Sequence, residues 1–175
     1  MHDRQRTANL LGATALAVTD LALSGATRAA GVSASGAAAL VILSAGGGVS
    51  VTELGRRVGL SQSAAARMVD GLEAAELVER RPGLGRMVTV QPTAAGRRVA
   101  GELLRARGAP LADVLDALDD DEQQTLAALL AKLLTRLYDV VGNAQLMCRL
   151  CDRHSCVQHA TCPVGQAERE RERER

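Results

Sequence analysis

The segment "SVTELGRRVGLSQSAAARMVDGLEAAELVERR", residues 50–81, most constrains what this chain can fold into. It contains a short helix that begins near Thr52, a turn at Gly59 and Leu60, and a second helix that Ser61 can cap. Apolar side chains recur along the second helix at helical spacing and are predicted to face the core: Ala65, Met68, Val69 and Leu72. The remaining side chains of that helix are predicted to point outward: Gln62, Ser63, Ala66, Arg67 and Asp70. The pattern predicts two helices packed across a tight turn.

The flanking segments predict further helices and one hairpin. "LVERRPGLGRMVTVQP" is typical of two short strands around a turn at Pro82–Gly85, with Val88 and Val90 alternating on a half-buried face. Helices are predicted over residues 7–30 and 35–45, from Thr93 onward, and from a capping box formed by Asp119 and Glu122. The predicted fold class is therefore mainly α with a small β-hairpin wing, a winged helix-turn-helix joined to a helical dimerisation region.

Composition narrows the class of protein. Tyr138 is the one aromatic residue, so the core must be built from Leu, Val and Ala, which suits closely packed helices. We find no paired carboxylates and no nucleophile beside a base, and "GGG" at residues 46–48 lacks the Lys and Ser/Thr of a phosphate-binding loop. The sequence indicates that the protein is not an enzyme.

The N-terminal segment resembles a secretion signal only loosely. Thr14, Thr19 and Asp20 interrupt its apolar run, and five apolar residues can lie along one helical stripe instead: Leu10, Leu11, Val18, Leu21 and Ala22. No uninterrupted apolar run reaches the roughly 18–20 residues that a membrane span requires. We expect a cytoplasmic protein with no membrane partner.

Residue chemistry points to DNA as the partner. Gln62 can bond adenine through two hydrogen bonds, Ser61 and Ser63 can bond base or phosphate, and Arg67 can reach guanine or phosphate. Three arginines flank the predicted hairpin tip and suit a minor groove: Arg80, Arg81 and Arg86. From Val51 to Arg107 ten arginines face six acidic residues, a net charge of +4, whereas the whole chain carries +1. The basic excess is concentrated in the predicted DNA-binding unit.

These motifs resemble the MarR family of winged-helix regulators. The resemblance covers about residues 7–141: the helix-turn-helix, the hairpin with "QPTAAGRR", and "LDDDEQQTLAALLAKLLTRL", which is similar to the family's returning dimerisation helix. It implies a homodimer on a pseudo-palindromic double-stranded DNA operator, usually as a repressor. It also implies that Ser61, Gln62, Ser63 and Arg67 lie on the recognition helix and that Arg86 is the wing arginine. The residues identify no small-molecule effector.

We divide the chain accordingly. Residues 1–32 and 108–147 form the predicted helical dimerisation region, and residues 33–107 form the winged helix-turn-helix DNA-binding domain. The stripe of apolar side chains in the last long helix covers more than one face, which indicates packing on two sides. Residues 148–164 form a predicted metal-binding segment, and residues 165–175 a charged tail that is expected to be solvated as a frayed helix or disordered chain.

All four cysteines lie in "CRLCDRHSCVQHATCP", at Cys148, Cys151, Cys156 and Cys162. In the reducing compartment expected for a DNA-binding protein, such spacing indicates metal binding rather than disulfides. Four thiolates suit a closed structural Zn²⁺ site. An iron–sulfur cluster is the alternative, since the pair Cys162–Pro163 resembles the cluster-binding loops of ferredoxins. His154 and His159 are less favoured as ligands because four cysteines already complete the coordination.

Two other functional interpretations stay open at this point. The same cysteines, with an iron–sulfur cluster or as free thiols, would make a redox-sensing regulator. Alternatively, the helix-turn-helix would bind a protein partner in a metal or redox protein. The metal itself would be either structural or sensory.

Overall fold

Within residues 3–83 and 88–174, the residues that the computed structural model describes, the chain forms nine helices and one antiparallel sheet of two strands. The predicted fold class, mainly helical with a small β-hairpin, is confirmed. In chain order the elements are α1 (Arg4–Ala30), α2 (Ala34–Ala45), α3 (Val51–Val58), α4 (Gln62–Ala74), β1 (Val78–Pro82), β2 (Val88–Pro92), α5 (Ala94–Leu115), α6 (Asp120–Val141), α7 (Ala144–Met147), α8 (Arg153–Val157) and α9 (Pro163–Arg173).

Local hydrogen bonds set the helix ends where the sequence predicts them. Ser61 Oγ accepts a hydrogen bond from the backbone N–H of Ala64 at 3.4 Å and caps α4. Asp119 and Glu122 form the predicted capping box, with side-chain to backbone distances of 2.9 and 3.0 Å. Gly59 ends α3 at φ 75°, a left-handed conformation in which a Cβ is strained. The predicted turn between α3 and α4 is therefore confirmed.

The main core surrounds α2, whose side chains from Ala37 to Leu43 are buried. This helix packs against α3, α4, α5 and β2. Small residues bring the elements together in the absence of Phe and Trp: a Cβ on Gly55 would lie 2.8 Å from Ala65 Cβ, and one on Gly96 would lie 1.9 Å from the Leu77 carbonyl oxygen. Helices α3 and α4 thus approach more closely than a larger residue at position 55 allows.

The wing is the hairpin of β1 and β2, with Arg80 opposite Val90, and Val49 pairs with the other side of Val90. One prediction about it is wrong. Val90 is fully buried, but Val88 is 50% exposed, whereas Thr89 between them is buried. Val88 is the first described residue after the hairpin tip and lies outside the cluster that forms the core. Of the predicted turn at Pro82–Gly85, Leu84 and Gly85 lie outside the described residues.

Helix α5 begins after its cap Thr93, as predicted, and runs unbroken through Pro110 to Leu115. It packs along α1 and α2. The domain boundary that we place between residues 107 and 108 therefore lies inside one helix. The winged-helix body and the first part of the predicted dimerisation region share a continuous element.

Helix α6 packs mainly against α9. Six large apolar side chains along it are 41–77% exposed in the single chain: Leu129, Leu130, Leu133, Leu137, Val140 and Val141. Leu10, Leu11 and Leu16 of α1 are also exposed, whereas Ala22 of the predicted stripe is buried. Two long helices therefore present unpartnered apolar surface.

We call residues 142–174, which include α7, α8 and α9, the C-terminal lobe. Val164, Ala144 and Ala167 of this lobe form a second, small core with Tyr138 of α6. The tail is helical through Arg173, and its charged side chains lie at the surface. No helix in the described part of the chain is long and apolar enough to cross a membrane.

Candidate nucleic-acid interface and thiol cluster

The first turns of α4 present the residues that the sequence assigns to DNA. Ser61, Gln62, Ser63 and Arg67 are exposed. Among the described residues, the side chains of Gln62 and Arg67 form no hydrogen bond or ion pair with another protein group. Their donors and acceptors are available to a partner, and the N-terminus of α4 adds unpaired backbone N–H groups of positive polarity.

The opposite face of α4 anchors it to the body. Ala65 and Val69 are fully buried and Leu72 is 4% exposed, as the sequence predicts, and Met68 is half-buried against the same core. Because a helix turns 100° per residue, burial of this stripe directs Gln62, Ser63 and Arg67 outward together. The arrangement is a rigid helix with a polar, cationic outer face.

Glu53 braces α3 through its two arginines. It accepts hydrogen bonds from Arg56 at 2.7 and 2.8 Å and from Arg57 at 2.7 Å. The hydrogen bond from Arg56 lowers the pKa of Glu53 to about 2; burial opposes this shift and Arg57 adds to it. The guanidinium groups of Arg56 and Arg57 are consequently both paired with Glu53.

Arg80 lies between the wing and helix α4. Its guanidinium donates to Asp70 at 2.6 Å and to Glu73, and its backbone N–H donates to Glu73 Oε1 at 3.2 Å. The hydrogen bond to Asp70 raises the pKa of Arg80, and Glu73 adds to the rise. Both partners are on α4, so the structure makes Arg80 a tie between β1 and α4. A DNA contact by Arg80 stays a prediction.

The other two wing arginines differ in what the structure shows of them. Arg81 is exposed and pairs with Glu79 of its own strand at 2.7 Å. Its guanidinium is more accessible to a phosphate than that of Arg80. Arg86, the predicted wing arginine, lies outside the described residues.

The four cysteines come together in the C-terminal lobe as a thiol cluster, which comprises Cys148, Cys151, Cys156 and Cys162. All four are free thiols, and all four line two adjoining cavities of about 330 and 290 Å³. The larger cavity is bounded on its far side by α1, α5 and α6 through Ala22, Arg107 and Leu134. The cluster thus lies where the lobe meets the long helices.

The thiols influence one another's ionisation. Burial raises the pKa of Cys148 to about 11, Cys162 adds to the rise, and Arg153 opposes it. Burial also raises the pKa of Cys156 to about 11, with a further contribution from Cys151. Burial raises the pKa of Cys151, again with a contribution from a neighbouring thiol. A thiol with such a pKa is protonated at neutral pH and is a poor nucleophile without a cation beside it.

Positive groups surround the cluster. Arg107 and Arg149 line the larger cavity, and Arg153 and Arg169 line the smaller one. The backbone N–H of Gly165 donates to Cys162 Sγ at 3.4 Å, so this sulfur caps the N-terminus of α9. Arg149 and Arg153 lie in the same segment as the cysteines. Arg107 comes from α5, and no local pattern predicts its position beside them. These groups would stabilise the negative charge of thiolates.

The cluster has the donors of a metal site, but its side chains are not set as one. Within residues 3–83 and 88–174, no three His, Cys, Asp or Glu side chains already converge as ligands of one ion. All four cysteines nevertheless line the same two cavities. His154 and His159 are exposed, and neither lines the two cavities. The donor set that fits a metal is therefore the four sulfurs.

Comparisons with known proteins agree with the fold. Residues 30–86, which span α2, the helix-turn-helix and the first wing strand β1, match the sequence profile of the MarR family. The chain is similar to a MarR-family transcriptional regulator from Silicibacter pomeroyi, with 30% identity, a TM-score of 0.54, and coverage of 68% of this chain and 84% of that one. The cysteine segment lies beyond the residues that the family profile matches.

Two further solved structures are similar. A MarR family protein from Bacillus stearothermophilus has a TM-score of 0.67 at 24% identity, covering 78% of this chain and 99% of that chain, and it supports the fold. The MarR family protein Rv2887 from Mycobacterium tuberculosis, solved with salicylic acid, has a TM-score of 0.55 at 27% identity, covering 71% and 93%. No protein of curated function matches the chain.

Proposed function

The chain belongs to the MarR family of transcriptional regulators, and we propose that it acts as a homodimer that represses transcription from a pseudo-palindromic DNA operator and carries a metal ion in its thiol cluster. The observation that carries the DNA part is the exposed face of α4. Gln62 and Arg67 point outward, and among the described residues their side chains have no protein partner; the net charge between residues 51 and 107 is +4. Glutamine reads adenine and arginine reads guanine through paired hydrogen bonds in the major groove.

The dimer is supported by the apolar surface that the single chain leaves exposed. Leu133 is 41% exposed and Leu137 is 51% exposed on α6, and Leu10 and Leu11 are about half exposed on α1. Exposed apolar surface on two long helices is typical of an association face in a monomer. Twofold pairing of these helices would cover it and present two copies of α4 to successive major grooves.

The metal is supported by the chemistry and placement of the four sulfurs. Four thiolates fit a closed tetrahedral Zn²⁺ site, and rotation of the cysteine side chains would aim the sulfurs at one ion. Arg107, Arg149 and Arg153 would offset the negative charge of the thiolates, and the Gly165 N–H would hydrogen-bond the sulfur of Cys162. When bound, zinc would cross-link α7 and α9 and so stabilise the lobe. An iron–sulfur cluster on the same four sulfurs is the alternative.

The DNA function is tested by a mobility-shift assay on the chain's own upstream region at low salt. The wild type is expected to shift the fragment, and a variant with Gln62→Ala and Arg67→Ala is expected to lose the shift. Arg173→Ala is the matched control, because Arg173 is an exposed arginine of α9, outside α4 and outside the apolar faces of α1 and α6. Absence of a shift by the wild type, both metal-loaded and stripped, would refute DNA binding. Retained regulation by the double variant would favour a protein partner for the helix-turn-helix.

The metal is tested on protein purified without oxygen, by metal analysis and visible absorption. A colourless sample with one zinc per chain supports the zinc site, whereas a brown sample with iron and sulfide identifies a cluster. Replacing Cys148 with Ser is expected to abolish binding of either, and replacing the exposed His159 with Ala is expected to leave it unchanged. A metal-free wild type would favour thiol redox chemistry instead.

A further inference from the structure

The C-terminal lobe rests directly on the turn of the helix-turn-helix. Leu146 of α7 lies over Gly59, where an added Cβ would meet Leu146 Cδ1 at 3.0 Å. Asn143, which caps α7 through Oδ1, donates from Nδ2 to the Arg56 carbonyl oxygen of α3 at 3.2 Å. These contacts join residues 87 positions apart in the chain at the last turn of α3.

The other side of the lobe holds the end of α6. Cys148 and Cys162 pack against the small core that includes Tyr138 of α6, and Arg171 lies 6.0 Å from the centre of the Tyr138 ring. Leu150, between Cys148 and Cys151, packs instead against the main core. The thiol cluster therefore lies between two contacts of the lobe: one with the end of α6 and one with the turn between α3 and α4.

We propose that the state of the thiol cluster controls DNA affinity through the contact of Leu146 and Asn143 with the α3–α4 turn. The proposal rests on the metal site proposed above. With the sulfurs joined by the metal, α7 is held against Gly59, and α4 keeps a fixed position relative to α6 and hence to the second copy. Without the metal the lobe loses its cross-link, and α7 no longer restrains the turn.

The coupling works by preorganisation. A recognition helix whose position is fixed before binding loses less conformational entropy on DNA, so the metal-loaded form binds more tightly. We expect metal loss to weaken operator binding by about tenfold, which corresponds to about 1.4 kcal/mol. By linkage, DNA would tighten metal binding by the same factor.

The test compares operator affinity of metal-loaded and metal-stripped dimers in three chains. The wild type is expected to show the tenfold ratio. Leu146→Ala removes the contact with Gly59 and is expected to bring the ratio near one, with one metal per chain still bound. Glu172→Ala is the control, because Glu172 is an exposed residue of the same lobe that lines neither thiol cavity, and its ratio should match that of the wild type.

Asn143→Asp provides a second variant in case Leu146→Ala disturbs folding. The carboxylate keeps the cap of α7 but cannot donate to the Arg56 carbonyl oxygen, so the ratio should again fall while metal content is retained. A wild-type ratio of one with metal bound, or an unchanged ratio in both variants, overturns the coupling while the metal site stands. Failure of the wild type to take up metal overturns the proposed metal site and the coupling with it. Failure to bind DNA in any state overturns the proposed function as a transcriptional regulator.

Discussion

Replacing Arg80 with alanine is expected to loosen the wing without removing a phosphate contact. Arg80 bonds Asp70 and Glu73 of α4, and the exposed fractions of the three side chains are 31%, 63% and 39%. Ion pairs with this exposure each contribute about 0.2–1 kcal/mol after solvent screening. Loss of both pairs is therefore expected to lower the free energy of unfolding by about 1 kcal/mol.

Two measurements distinguish a structural link by Arg80 between β1 and α4 from a contact of Arg80 with DNA. Urea denaturation followed by circular dichroism gives the free energy of unfolding. Fluorescence anisotropy of a labelled duplex between about 50 and 200 mM salt gives the slope of log affinity against log salt, which changes by about 0.9 for each phosphate that the protein ceases to neutralise. Arg80→Ala should leave this slope unchanged.

Arg81→Ala is the matched control on the same strand. Arg81 pairs with Glu79 and is 58% exposed, so its loss should cost less than about 0.5 kcal/mol of stability. If Arg81 reaches the backbone of DNA, its loss should lower the salt slope by about 0.9. A structural role for Arg80 is refuted if Arg80→Ala lowers the salt slope by that same amount and leaves the free energy of unfolding unchanged.

Three further outcomes are expected. Gly55→Val should destabilise the fold by about 2 kcal/mol or more in urea denaturation, because its Cβ would lie 2.8 Å from Ala65 Cβ; a neutral effect would contradict the close approach of α3 and α4. The pKa of Glu53 falls from 4.5 to about 2 on folding, so its ion pair stabilises the protein above pH 4.5 and is lost as pH falls toward 2. When the free energy of unfolding is measured at falling pH, Glu53→Gln should therefore lose about 1 kcal/mol less than the wild type. Equal losses in the two proteins would contradict this. Leu133→Glu on α6 should yield monomers by sedimentation velocity, whereas dimers at micromolar concentration would exclude this face from the interface.

Much of the fold follows from signals within a few residues of one another. The cap at Ser61, the capping box of Asp119 with Glu122 and the turn at Gly59 each depend on local hydrogen bonds or on a single backbone angle. The stripe of Ala65, Val69 and Leu72 follows from helical periodicity. The mistake at Val88 arises because alternation predicts which side of a strand a residue takes, but not where along the strand the core ends.

The candidate DNA-reading residues were predictable for the same reason. Gln62, Ser63 and Arg67 share the outward face because the core stripe determines how α4 is rotated. The partners of the arginines were not predictable. Arg80 meets carboxylates seven and ten residues earlier in the chain, a pairing that exists only when the hairpin folds back on α4.

By itself, the sequence determined the winged helix-turn-helix, the outward face of its second helix and the concentration of four thiols in one segment, since each depends on spacing along the chain. What those thiols lie against depends on how distant helices pack. Asn143 and Leu146 reach the turn at Gly59 because α5 and α6 return the chain to the DNA-binding body before the cysteines begin. Contacts across so long a separation depend on the packing of whole helices, which no local pattern encodes.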